Sequence, residues 1–172
     1  PFLVLYPAAW INHPLEAAIK GYYHRDAQKE LEAVKGLTVI GLTGSYGKTS
    51  TKDILHAMLS TTFNTLKTPE SYNTKMGLTL TLRKDLRPYH DFFIAEMGAK
   101  EVGDIAELVR FVSPHAALIT SIGRMHLDTF GSEENIKKTK LELFTTDGKQ
   151  RLKFINRYDE TLAAFTPEGP SI

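Results

Sequence analysis

The sequence predicts an α/β domain: a mainly parallel sheet with helices on both faces. Three observations carry the prediction. Strand-like and helix-like segments alternate from Leu37 onward, with no internal repeat and no low-complexity stretch. The strand-like segments are apolar throughout instead of alternating, as strands buried on both faces are. The first of them, Leu37 to Thr43, breaks into Gly44-Ser45-Tyr46-Gly47-Lys48-Thr49-Ser50 before a helical pattern begins. Strand, glycine loop, Lys-Thr and helix is the order in which a chain builds a phosphate-binding loop.

Composition fits such a domain. The 172 residues, 42% of them hydrophobic, suffice for a core. With 21 basic against 20 acidic residues the formal net charge is +1, so no nucleic-acid partner is implied. The lack of cysteine excludes a disulfide framework and thiolate zinc sites, and suits a reducing cytoplasm. The chain divides at Gly36. Residues 1–36 are an apolar segment and a helix, and residues 37–172 a nucleotide-binding domain expected to be truncated at its C-terminal end.

Phe2 to Ile11 is apolar but far shorter than the roughly 20 residues that cross a bilayer. It is either the tail of a membrane segment upstream of Pro1 or a short element packed on the domain. No cleavable signal pattern accompanies it. The first alternative places the protein at the inner face of a membrane, the second in the cytoplasm. From His13, Leu15, Ile19, Tyr22, Tyr23, Ala27, Leu31 and Val34 recur at helical spacing to about Lys35, with Pro14 in the first turn and Gly36 as the stop.

Leu37 to Thr43 is the first strand. Lys48 to Thr61 follows as a helix with Ile54, Leu55, Met58 and Leu59 toward the core and His56 in solvent. Phe63 to Thr68 is a short second strand that runs into a polar loop, 68–74. Met76 to Leu86 fits two periods, because Leu78, Leu80 and Leu82 alternate with threonines while Leu78, Leu82 and Leu86 share a helical face. A parallel sheet needs a crossover here, so a helix is expected. Asp91 to Met97 is a buried strand, and Val102 to Val112 a helix stopped by Ser113-Pro114. Ala116 to Ile122 is a further strand leading into Gly123-Arg124-Met125-His126. Ser132 caps a helix with an acidic first turn that runs to about Phe144. Arg151 to Asn156 is the last strand, and Asp159 to Phe165 a short final helix.

Ligands of such sheets sit at the carboxyl ends of the strands. Thr43, Glu96, the Gly123–His126 turn and Asn156 all fall there. In the loop, glycines let successive N–H groups point into one hollow, Lys48 reaches the terminal phosphates, and Thr49 offers a hydroxyl to magnesium. The general pattern G-x-x-x-x-G-K-[S/T] asks for glycine at position 42, where this chain has Leu42 and glycines at 41, 44 and 47. Glu96 ends an apolar strand, where a carboxylate is costly unless it is paired or metal-bound; the alternative is a cap on the helix after Gly103. His126 is either a surface residue or a ligand on the same face. Lys140 shares an arc with Ile136, Leu143 and Phe144, unlike Lys137 and Lys138. It is either a snorkelling lysine or a buried amine able to form a carbamate with carbon dioxide.

The segments T-G-S-Y-G-K-T-S, E-S-Y-N-T-K-M-G, E-M-G-A and I-T-S-I-G-R-M-H-L-D-T-F-G-S-E-E-N-I-K-K-T-K-L-E-L, in that order, resemble the central domain of the Mur ligase family. The likeness runs from about Leu37 to Phe144 and thins toward Ile172. Within the family it is greatest to the type that joins D-Ala-D-Ala to a UDP-MurNAc-tripeptide. The resemblance implies a phosphate-loop NTPase-like fold, ATP as cosubstrate and two Mg²⁺ sites. Gly44, Ser45, Tyr46, Gly47, Lys48, Thr49 and Ser50 would wrap the phosphates, with Thr49 and Glu96 on the first metal. His126 would hold the second metal, together with Lys140 as the family's carbamylated lysine. Asn73 would stand by the reacting phosphate, making Lys48, Asn73 and Lys140 the catalytic set. Asn156 would lie by the adenine, although Tyr158 stands where the family more often has aspartate.

The implied reaction is ATP-dependent amide ligation in bacterial cell-wall precursor synthesis. A carboxylate of the UDP-MurNAc-peptide becomes an acyl phosphate that the amine of D-Ala-D-Ala attacks. Family members add an N-terminal domain for the UDP-sugar and a C-terminal domain for the amine, and neither is in these residues. The 172 residues alone are therefore expected to bind ATP weakly at most and not to ligate. Other members remain open, notably folylpolyglutamate synthase; the ligase partner of lipid II amidation is disfavoured because it carries a cysteine zinc ribbon. Outside that class stand a phosphate-loop kinase and a membrane-tethered nucleotide-binding regulator without ligase activity.

Overall fold

The computed structural model describes residues 2–125, 127–147 and 152–165. After an N-terminal helix α1 (Phe2–Ala33) come β1 (Thr38–Thr43), α2 (Lys48–Leu59), β2 (Thr65–Lys67), α3 (Lys75–Asp85) and β3 (Phe92–Glu96). They are followed by α4 (Asp104–Val112), β4 (Ala116–Ile119), α5 (Leu127–Phe130), α6 (Glu133–Thr145), β5 (Leu152–Ile155) and α7 (Glu160–Ala163). The five strands form one parallel sheet in the order β2-β3-β1-β4-β5. The chain winds outward from β1 to β2, returns to β3, then crosses over β1 to reach β4. Winding thus reverses around β1, and the loop after β1 lies at that reversal, where open α/β sheets hold ligands.

One face of the sheet carries the main core. Val39, Phe93, Ala95, Ala117 and Ile119 pack there against apolar side chains of α3, α4 and α6. The other face is thinner: Ile40, Ile94 and Ala116 meet Leu55 and Leu59 of α2. The ambiguous segment 76–86 is a helix, its N-terminus capped by the Thr74 hydroxyl, which accepts from Gly77 N. Leu78 and Leu82 are fully buried and Leu80 faces out, so the crossover requirement decided between the two periods.

Expectations for α2 and for the N-terminal segment need correction. On α2, Ile54 and Met58 are 62% and 66% exposed, and the residue turned inward is Lys52 at 1%. His56 is half-buried and contacts the Thr65 carbonyl instead of standing in solvent. The N-terminal segment is a single helix from Phe2 to Ala33 that runs through Pro14 instead of starting there. Its second half docks on the domain. His24 Nδ1 lies 2.7 Å from Thr79 Oγ1, Gln28 donates to the Phe111 carbonyl, and Asp26 pairs with Arg83 at 2.6 Å. Leu15, Ile19 and Tyr22 are exposed, so only the lower part of the predicted stripe is core. Among the described residues no helix is long and apolar enough to cross a membrane.

Gly41 in mid-β1 brings the layers closest. A Cβ there would sit 3.0 Å from Leu143 Cδ1 of α6 and 3.1 Å from Met97 Cε. Only hydrogen at this position lets α6 press onto the strand that feeds the loop. Leu143 lies one helical turn beyond Lys140, so the same contact sets the height of Lys140 over the sheet.

Candidate nucleotide site

The loop after β1 is fixed from the β4 side. Ser45 N donates to Ser121 O at 2.9 Å, and Tyr46 N to Ser121 Oγ at 2.9 Å. The Thr120 hydroxyl donates to Tyr46 O at 2.7 Å, and Ser45 Oγ exchanges hydrogen bonds with the backbone of Gly123. Gly44 has φ +152°, and a Cβ there would fall 2.0 Å from Thr120 Oγ1. Gly47 caps α2 with φ +76° and no side-chain bond, which leaves the first-turn N–H groups of α2 free of side-chain acceptors. Lys48 folds back over this loop, its ammonium donating to Gly44 O at 2.9 Å. Burial lowers its pKa, opposed by the nearby Glu96 carboxylate. Tyr46 and Ser50 lie on the exposed side of the loop.

Glu96, at the end of β3, is 1% exposed and fully partnered. Its Oε2 accepts from Lys52 Nζ at 2.9 Å and from Thr49 Oγ1 at 3.3 Å, and its Oε1 from Asn73 Nδ2 at 3.2 Å. Asn73 is held there by close packing: a Cβ at Gly98 would lie 2.6 Å from Asn73 Oδ1, and Gly98 N donates to Asn73 O. The alternative of Glu96 as a cap on α4 does not hold. That helix is capped by Glu142 of α6, whose two oxygens accept from Gly103 N at 2.8 Å and Ala106 N at 3.0 Å.

Lys140 is 4% exposed, so the snorkelling alternative is excluded. Its ammonium stands 6.0 Å from the centre of the Phe130 ring. Its pKa is pushed down to about 8, by burial first and by the Lys48 ammonium second, against Asp104 and Glu142. Gly44, Lys48, Asn73, Asp104 and Lys140 line one cavity of about 550 Å³. The structure therefore gathers Gly44, Ser45, Lys48, Asn73 and Lys140 around a single space, with Thr49 and Glu96 adjoining it through Asn73.

Asn156 does not line that cavity. It sits at the end of β5, donating to Thr120 O at 3.1 Å and accepting from Tyr158 N at 3.0 Å. His126 lies outside the described residues. Lys52 and Glu142 were not foreseen, and only Lys52 left a trace in the sequence, four residues after Lys48 and hence on the same helical face.

Whether this donor set suits a metal is decided by Thr49 Oγ1 and Glu96 Oε2, two oxygens 3.3 Å apart. Among the described residues no group of three or more His, Cys, Asp or Glu forms a closed cage. One carboxylate, one hydroxyl and an open side fit Mg²⁺, which keeps waters and takes phosphate oxygens, better than they fit zinc or calcium.

The Mur ligase middle domain profile matches residues 42–170. A UDP-N-acetylmuramoyl-tripeptide–D-alanyl-D-alanine ligase of Bacillus subtilis is 43% identical over 63% of this chain and 23% of its own length. The Mycobacterium leprae enzyme of the same name is 38% identical over 75% of the chain and 25% of its length. Among solved structures, MurF ligase from Thermotoga maritima in complex with ADP superposes with TM-score 0.81 at 32% identity, covering 89% of this chain and 36% of that one. The chain spans about a quarter of the length of these curated relatives. With the profile covering most of its length, the chain belongs to the Mur ligase middle domain family.

Proposed function

We propose that these residues form the ATP-binding domain of an amide ligase that joins D-Ala-D-Ala to a UDP-MurNAc-peptide in cell-wall precursor synthesis, in the cytoplasm. The observation that carries the proposal is the convergence of Lys48, Asn73 and Lys140 on one cavity beside the Thr49–Glu96 pair. In the proposal the loop from Gly44 to Ser50 holds the phosphate chain with backbone N–H groups, and Lys48 leaves its carbonyl partners for the terminal phosphates. Thr49 and Glu96 hold the first Mg²⁺, which supplies charge neutralisation on the transferred phosphoryl group. Asn73 keeps one amide hydrogen for the reacting phosphate after its bond to Glu96.

Lys140, as amine or as carbamate, faces the same phosphate with His126 on the second metal. Its nitrogen is neutral enough near pH 8 to condense with carbon dioxide. Asn156 retains one N–H and one oxygen lone pair for the edge of a base. The UDP-sugar and the amine require further domains, for which residues 1–36 are no substitute. Relatives of the same enzyme name at 33% to 43% identity favour this acceptor and amine over those of a folate-type ligase.

The test is phosphate release by the full-length protein with UDP-MurNAc-tripeptide, with and without D-Ala-D-Ala. Release that requires both substrates and is abolished by Lys48→Met supports the proposal. ATP turnover indifferent to both substrates overturns it. For the modified lysine, ¹³C-bicarbonate should give a carbamate resonance that Lys140→Met removes.

A further inference from the structure

Lys52, 1% exposed, is with Lys140 one of two buried lysines among the described residues, and unlike Lys140 it does not line the cavity. It lies one turn beyond Lys48 on α2, and its ammonium has two partners, Glu96 Oε2 at 2.9 Å and the Glu70 carbonyl in the loop after β2. Glu96 Oε2 is also the oxygen that the Thr49 hydroxyl approaches at 3.3 Å. A metal shared by Thr49 and Glu96 therefore has to use an oxygen that already carries an ammonium.

We infer that Lys52 is a built-in counter-cation that closes the Glu96 position to free divalent metal, so that metal enters only together with a phosphate chain. The inference rests on the nucleotide-site reading above. Lys52 cannot swing aside, since it is 1% exposed and tied to a backbone carbonyl as well as to the carboxylate. The Lys52–Glu96 pair sums to zero charge, and the Lys48 ammonium beside Thr49 is held only by backbone carbonyls of the loop. The adjoining cavity is lined by Lys48, Lys75, Lys100 and Lys140 against Asp104 and Glu107, so it carries more positive than negative side chains before any ligand arrives. A divalent ion gives up hydration reluctantly and gains little there. A triphosphate reverses the sign of the field and supplies the missing oxygens. Lys52 also joins the loop after β2 to the end of β3, so the ammonium that excludes free metal is the one that keeps Asn73 and Glu96 in register.

The experiment is a Mn²⁺ titration, read by the EPR signal of free Mn²⁺, on the full-length protein, on its Lys52→Met variant and on Lys52→Met/Glu96→Gln. Melting temperatures are taken with and without Mn²⁺. The wild type should take up no Mn²⁺ at this site alone and one ion when ADP is added. Lys52→Met should bind Mn²⁺ without nucleotide, tighter than wild type on the order of a hundredfold, because an ammonium no longer adjoins the ion. Its melting temperature should fall and be restored by the metal, since the cation replaces the lost partner of a buried carboxylate. The double variant, with both charges gone, should show neither binding nor restoration. Site-bound Mn²⁺ in nucleotide-free wild type overturns the inference whether or not the variant folds. A folded Lys52→Met with no gain in metal binding overturns it too. Glu96→Gln separates the two readings: if it leaves Mn²⁺–ADP binding unchanged, the metal assignment itself is wrong, whereas a loss there with no gain in Lys52→Met indicts only the counter-cation role.

Discussion

Replacing Lys140 with methionine removes a charge but keeps the length of the side chain. In the folded protein Lys140 is 4% exposed and its pKa falls from 10.5 to about 8. At about 1.4 kcal/mol per decade that gap corresponds to about 3 kcal/mol of destabilisation from holding the charge in place. Below pH 8 both the folded and the unfolded chain carry the proton, and the whole penalty is present. Between about 8 and 10.5 the folded chain releases the proton while the unfolded chain retains it, so native stability recovers as pH rises. Lys140→Met should therefore be more stable than wild type by about 3 kcal/mol at pH 7, the excess shrinking toward zero by about pH 10.5. Urea midpoints at pH 7 and pH 10, in bicarbonate-free buffer, measure it. A variant less stable than wild type at pH 7, or an excess that does not change with pH, would show that the ammonium is well compensated. The account of a strained, reactive amine would then fail.

Two other substitutions probe how the site is held. Glu142→Ala removes two charge-assisted bonds from the N-terminus of α4, one to each carboxylate oxygen, and should cost about 2–4 kcal/mol in urea denaturation. Glu142→Gln, which keeps one acceptor, should cost about half of that; a cost near zero for alanine would mean that water caps the helix equally well. Gly44→Ala places a methyl on the Thr120 hydroxyl at a positive φ, and should cost about 1–3 kcal/mol and abolish ADP binding. Adding Thr120→Ala separates the two causes, since it relieves the clash and leaves the backbone strain.

The sequence made the fold and the loop legible because both rest on local signals. Uniformly apolar strands and a glycine on each side of Ser45-Tyr46 are short-range features, and the sheet follows from them. Lys140 was legible for a related reason: its place among Ile136, Leu143 and Phe144 is helical geometry. What closes the site is long-range. The Glu142 cap spans 39 residues from its farther donor, Gly103, and the contact of Gly41 with Leu143 spans about a hundred positions of chain. No periodicity reports either.

The orientation of α2 shows why a correct helix can still be turned the wrong way. Its apolar residues Ile54, Leu55, Met58 and Leu59 form a stripe that propensity alone would bury whole. The first turn, however, is already committed. Lys48 must face the loop, and four residues later Lys52 must meet Glu96, whose burial at the end of β3 leaves a carboxylate that needs a partner. That fixes the rotation. Positions 55, 56 and 59 continue the face of 48 and 52 and become half-buried, while 54 and 58 fall about half a turn away and stay exposed. Apolar burial on this side of the sheet is accordingly thin, with three buried residues against the many of the opposite face. Electrostatic satisfaction at the strand end outweighed an apolar stripe, because leaving a buried carboxylate unpaired costs more than leaving two apolar side chains in water.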